Sequence, residues 1–197
     1  MMDLNIPKAD CPLIVFSDNT SGFVEWMIKW RTKASWNHVM WLPWPGEFAS
    51  QGNTYSLSPF TRYIKKNNRL KFFSIPSLTP VQKALLIESI TKKLAKPWWK
   101  KRYDWLGIFG QAIGMPWINT TGLEYCSEDV GTHLKYVAEK GMNSENLLKH
   151  VIHEIPKHIS PQELEDYFKK YPEHFKVYLK WDGDDEQNTS GFTLAFI

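Results

Sequence analysis

Apolar positions in this chain fall into short unbroken runs and longer stretches of helical spacing. Leu13-Ile14-Val15-Phe16 runs unbroken between Pro12 and the turn-prone Ser17-Asp18-Asn19-Thr20, which predicts a buried strand. Phe23, Met27 and Trp30 recur at helical spacing and predict a helix from about Ser21 to Arg31. Trp36 to Leu42 predicts a second strand, broken by Pro43-Trp44-Pro45-Gly46, and Glu47 to Gln51 returns as a third. One or two helical turns are expected over Pro59 to Asn67, and a strand over Leu70 to Ile75.

Helices dominate the second half. Thr79-Pro80-Val81-Gln82 supplies a cap, a proline at the first helical position and a glutamine at the third, so a helix should follow to about Leu94. Tyr103 to Ile113 reads as a short apolar helix ended by Gly114 and Pro116. Val130, Leu134 and Val137 recur at steps of four and three, placing a helix from Cys126 to about Glu139 that stops at Gly141. Ser160-Pro161-Gln162-Glu163 repeats the capping pattern and starts a helix to about Lys170. Phe175 to Leu179 is the last expected strand, and the tail Asp182 to Ser190 is polar. The predicted class is therefore α+β, in one domain spanning 1–197, with no internal repeat.

Composition narrows the function classes. The chain has 197 residues, 43% hydrophobic and 23% charged, enough for one real core. Its net charge of +3 does not by itself imply nucleic acid, and none is expected as a partner. Two cysteines, Cys11 and Cys126, make a disulfide framework improbable. Met1 to Asp10 lacks the apolar run of a secretory signal, and no window approaches 18 uninterrupted apolar residues. The expected compartment is the cytoplasm by default, although delivery in a phage particle would leave the same sequence.

Cys126 carries the most chemistry. In the first turn of a helix, unpaired backbone N–H groups and the dipole stabilise an anion, and thiolate is the nucleophilic form of cysteine. A buried, inert thiol is the alternative. Glu128 and Asp129 suit the dipole but oppose a thiolate, so a base must help. Of six histidines, His133 lies two turns along the same helix, about 10 Å from the thiol and too far to bond it. His150, His153 and His158 lack a zinc spacing, and His174 sits in a polar stretch. No metal or cofactor is expected. His38, inside an apolar strand, is the remaining candidate.

Five stretches in this order resemble the circularly permuted NlpC-type papain-like cysteine hydrolases. That group includes YiiX-like bacterial proteins and, more distantly, lecithin:retinol acyltransferase-like enzymes. Pro12 to Phe16 looks like the family's opening strand. Gly22 to Trp30 with Ser35-Trp36-Asn37-His38-Val39 looks like its helix and His strand. Tyr103-Asp104-Trp105-Leu106-Gly107, Tyr125-Cys126-Ser127-Glu128 and Ile159-Ser160-Pro161-Gln162-Glu163-Leu164 look like its later motifs. They span about 12–165, leaving 166–197 as a C-terminal extension.

The resemblance implies a small antiparallel sheet carrying His38, with the Cys126 helix packed against it. It implies Cys126 as nucleophile and His38 as base, with a third polar residue orienting the imidazole. The family often has Glu followed by Ala there; this chain reads Phe48-Ala49-Ser50-Gln51-Gly52. Gln51 is the first choice, because an amide oxygen can accept the imidazole N–H. Glu47 shares its strand face, and Ser50 is third. The Cys126 backbone N–H is the natural oxyanion donor. Tyr103 is a second candidate by resemblance, with simple packing as its alternative. Asp104 and Glu128 are expected to cap or to pair with Lys100, Lys101 and Arg102.

The expected activity is a thiol hydrolase acting on a peptide or acyl substrate, with cell-wall peptide or isopeptide amides first. Two alternatives stay open. One is a lipid-directed acyl hydrolase or acyltransferase, with Trp41, Trp44, Trp98 and Trp99 beside basic residues at a membrane surface. The other is a catalytically silent binding or virion-structural module of the same fold.

Overall fold

The computed structural model describes residues 6–18, 34–51, 54–64, 68–102 and 126–183, and the backbone of 192–193. The helix expected over 21–31, the one expected over 103–113, and Tyr103 itself lie outside the described residues. Among the described residues seven strands form one antiparallel sheet: β1 Leu13–Ser17, β2 His38–Trp44, β3 Glu47–Gln51, β4 Tyr55–Pro59, β5 Arg69–Ser74, β6 Lys176–Asp182 and β7 Phe192–Thr193. Their order is β4-β3-β2-β1-β5-β6-β7. Among the described residues four α-helices accompany them: α1 Pro80–Ala95, α2 Cys126–Gly141, α3 Leu147–His153 and α4 Pro161–Lys170.

β1 is central and both its faces are covered, which is why its sequence is an unbroken apolar run rather than an alternation. Ile14 and Phe16 join Val39, Trp41, Ala49 and Phe73 in a cluster shared with all four helices. Leu13 and Val15 join Met40, Leu42, Phe48, Leu70 and Phe72 in a second cluster on the other face. Short turns cover that second face, contributing Ile6, Cys11, Phe60 and Tyr63. α2 lies on β2 and β3, flanked by α1 and α3. Its inward stripe is Val130, Leu134, Val137 and Ala138.

Both expected capping boxes form, Thr79 with Gln82 and Ser160 with Glu163. α2 ends on Gly141 because two helices meet there. A Cβ at that position would lie 2.8 Å from Leu85 Cδ1, and Gln82 Nε2 donates to the Gly141 carbonyl at 2.9 Å.

The structure departs from the sequence pattern at β2, β4, α3 and the unexpected β7. β2 does not stop at Pro43 but runs on to Trp44. The ladder with β3 shifts register between Trp41 and Trp44, which accommodates a proline that has no N–H to donate. The reversal falls at Pro45 and Gly46, where glycine takes φ of 90°. β4 and α3 were not expected: β4 is only five residues long, and α3 is a two-turn helix capped by Asn146.

Candidate functional site

Cys126 is the first residue of α2 and is 3% exposed. The first backbone N–H groups of a helix have no partner within the helix itself. The two carboxylates that follow are both engaged. Glu128 is paired with His158, Oε1 to Nδ1 at 2.5 Å, rather than with the basic residues at 100–102. Asp129 accepts from Lys93 Nζ of α1 at 2.6 Å and lies 3.1 Å from His133 Nε2. Ser89 Oγ bonds the other ring nitrogen of His133 at 2.8 Å. Lys93 also lies over the Tyr55 ring, 4.8 Å from its centroid. Burial works to raise the Asp129 pKa, but the charges and hydrogen bonds of Lys93 and His133 outweigh it and hold the carboxyl below its usual range. Ser127 donates to the Ile159 carbonyl, tying the same turn to the approach to α4.

The sequence pattern did not single out this network. Its signal is present nonetheless: Gln82, Leu86, Ile90 and Lys93 form the buried stripe of α1, so a lysine closes a row of inward positions. Asp129 and His133 stand at i and i+4, the spacing at which helical side chains meet.

His38 opens β2, opposite Ser17 of β1. The approach to it is held at several points. Ser35 N–H donates to Gln162 Oε1 at 2.8 Å, Trp36 packs on Phe16 with centroids 6.2 Å apart, and Asn37 N–H donates to the Ser17 carbonyl. Val39 and Trp41 face α2, so alternation turns His38 to the other face, where its ring lies parallel to Tyr63 at 6.4 Å. Burial lowers its pKa to about 4; the charge of Asp129 opposes that shift and Arg62 reinforces it. The imidazole is therefore neutral at pH 7. Asp129 is the group that relates the two candidates: its field reaches His38, and it stands one turn after Cys126.

The three candidates for the orienting residue sit differently. Gln51, 1% exposed, donates through Nε2 to the Lys101 carbonyl at 2.9 Å. Its Oε1, the expected acceptor for the imidazole, has no hydrogen-bond partner among the described residues. Ser50 lies on the His38 face, 3.2 Å from the Tyr63 hydroxyl. Glu47 accepts from Trp44 Nε1 at 2.7 Å at the hairpin end of β2, the end away from His38. Of the remaining histidines, His150 bonds the Ser144 carbonyl. His174, although in a polar stretch, has only 13% of its side chain exposed.

No family model and no curated protein matches this chain. Among solved structures, it is similar to the crystal structure of the metalloprotein yiiX from Escherichia coli O157:H7. The TM-score is 0.50 at 16% sequence identity, covering 79% of this chain and 91% of that one. The likeness is one of fold. Among the described residues, no three His, Cys, Asp or Glu side chains converge as metal ligands would. The Asp129 carboxylate is committed to Lys93, and His133 Nδ1 to Ser89. The described residues therefore do not fit a metal. Among them, no helix is long and apolar enough to cross a membrane.

Proposed function

We propose that this chain is a thiol hydrolase with a permuted papain-like fold, acting on amides of cell-wall peptide or isopeptide type through Cys126 and His38. The observation that carries the reading is the placement of Cys126 as the first residue of α2, with both following carboxylates paired and the charge of Asp129 reaching a His38 imidazole that burial keeps neutral. For the pair to act, the His38 ring must turn from Tyr63 toward α2; the neutral imidazole then takes the thiol proton, and the thiolate attacks the carbonyl carbon. The oxyanion forms beside the Cys126 N–H. Because burial disfavours the imidazolium, the proton passes readily to the leaving amine. Water, deprotonated by the same ring, then releases the acid from the thioester.

The test is hydrolysis of peptidoglycan stem peptides and isopeptide amides by single-cysteine variants. Cys126→Ala should lose at least about 10³-fold in kcat/KM, while Cys11→Ala keeps full activity. A fully active Cys126→Ala would exclude the mechanism. A wild type inert on every amide, with an unreactive Cys126, would favour the binding or virion-structural module.

One further observation favours a lipid-directed form of the same chemistry. Trp98 and Trp99, in a 3-10 turn, are 60% and 58% exposed and perpendicular at 6.1 Å. The Arg102 guanidinium lies 5.8 Å from the Trp98 ring, and Lys96 and Lys100 are exposed beside it. Aromatic rings with flanking cations suit an anionic bilayer surface. Co-flotation with vesicles containing phosphatidylserine, lost in a Trp98→Ala/Trp99→Ala variant, is the expected result. An absence of co-flotation would remove this form.

A further inference from the structure

The buried ion pair between α1 and α2 has a consequence for the thiol. Cys126 and Asp129 stand three residues apart, so they share a helix face with Cβ atoms about 5–6 Å apart. An unpaired carboxylate at that distance, away from water, would oppose thiolate formation. Lys93 is what prevents it. It comes from another helix, is 8% exposed, and places its ammonium 2.6 Å from the Asp129 carboxylate. The other groups acting on Asp129 are His133 on its own helix and His38 on β2; Tyr55 on β4 faces Lys93 through its ring. Glu128, the other acid of the first turn, is paired separately with His158.

We infer that Lys93 is a positioning residue for the nucleophile, a counter-charge that cancels Asp129 beside Cys126 and so lets the thiolate form. This rests on the thiol-hydrolase reading. It makes a distinction that mere helix pinning does not. If the pair only ties α1 to α2, removing either partner loosens the same contact and shifts the thiol the same way. If charge is what matters, the two removals act with opposite sign. Lys93→Met strands a carboxylate beside the thiol; Asp129→Asn strands a cation there.

The experiment follows iodoacetamide labelling of Cys126 at pH 6 by peptide mass spectrometry, with circular dichroism to confirm folding. Lys93→Met should slow labelling by about tenfold. Asp129→Asn should leave it as fast as wild type or faster, and Lys93→Met/Asp129→Asn should return it to within about twofold of wild type. If Lys93→Met fails to fold, the sign of the Asp129→Asn effect decides. Slowing in Asp129→Asn, or in both single variants alike, overturns the inference while the hydrolase reading stands. A wild-type Cys126 that labels no faster at pH 6 than an ordinary thiol overturns both.

Discussion

The two cysteines lie on opposite faces of one sheet, and each face surrounds its thiol differently. Cys11 precedes β1 and belongs to the cluster of Leu13, Val15, Met40 and Leu42. Burial first, and then the charge of Asp10, push its pKa up to about 11, with Lys83 offsetting part of the rise. Cys126 is as deeply buried, but it opens a sixteen-residue helix, and its neighbouring acids already have partners. Burial alone therefore does not decide a thiol's fate. The proposed nucleophile needs groups around its sulfur that can hold a negative charge, and of the two cysteines only Cys126 opens an α-helix.

The largest effect should appear in the pH dependence of alkylation. At pH 6 a thiol with a pKa near 11 is ionised only about 300-fold less than an ordinary thiol, so a simple rate ratio between the two cysteines proves little. The shape of the profile discriminates. Cys11 should gain about tenfold in rate per pH unit throughout the range from 6 to 9. Cys126 should already be near its plateau at pH 7 and lose that plateau in His38→Ala. Parallel profiles would erase the distinction between the faces.

Much of the scaffold was legible because local rules and tertiary packing agree there. The run at Leu13 to Phe16 became β1, and both capping boxes start helices where their residues indicate. The Cys126 helix begins and ends as its pattern requires. The rest was hidden for identifiable reasons. β4 has buried Tyr55 and Ser58 but half-exposed Leu57, so its apolar pattern is too weak to announce a strand. Pro43 looked like a stop, but the register shift lets the strand pass through it. At the candidate site, Cys126 and His38 could be picked out singly, because one thiol stands just ahead of a helical repeat and one histidine interrupts an apolar strand. The Lys93–Asp129–His133 network could not, since its members are 36 and 40 positions from Lys93 and meet only when α1 packs on α2.

A smaller effect sharpens the comparison from the side of the base. His38 has a folded pKa of about 4 against an ordinary value of 6.5. Between those values the unfolded chain binds more protons than the folded one. Stability must therefore rise with pH across that window, and fall as pH drops from about 6.5 toward 4. The whole interval corresponds to about 3 kcal/mol, fewer where the partly open ring keeps some water. Asp129 and Glu165 do not confuse the measurement. Both carboxyls are held below their ordinary values, so their contributions are lost at more acid pH than most of this window. Urea unfolding at pH 7 and pH 4.5 reads the difference. His38→Phe keeps a ring parallel to Tyr63 but cannot titrate, so its stability should change less between the two pH values, by about 2 kcal/mol. Equal losses in the two proteins would mean that His38 keeps an ordinary pKa in the folded state. The imidazole would then be partly protonated near neutral pH, and the neutral base that the helical face requires would have to be sought elsewhere.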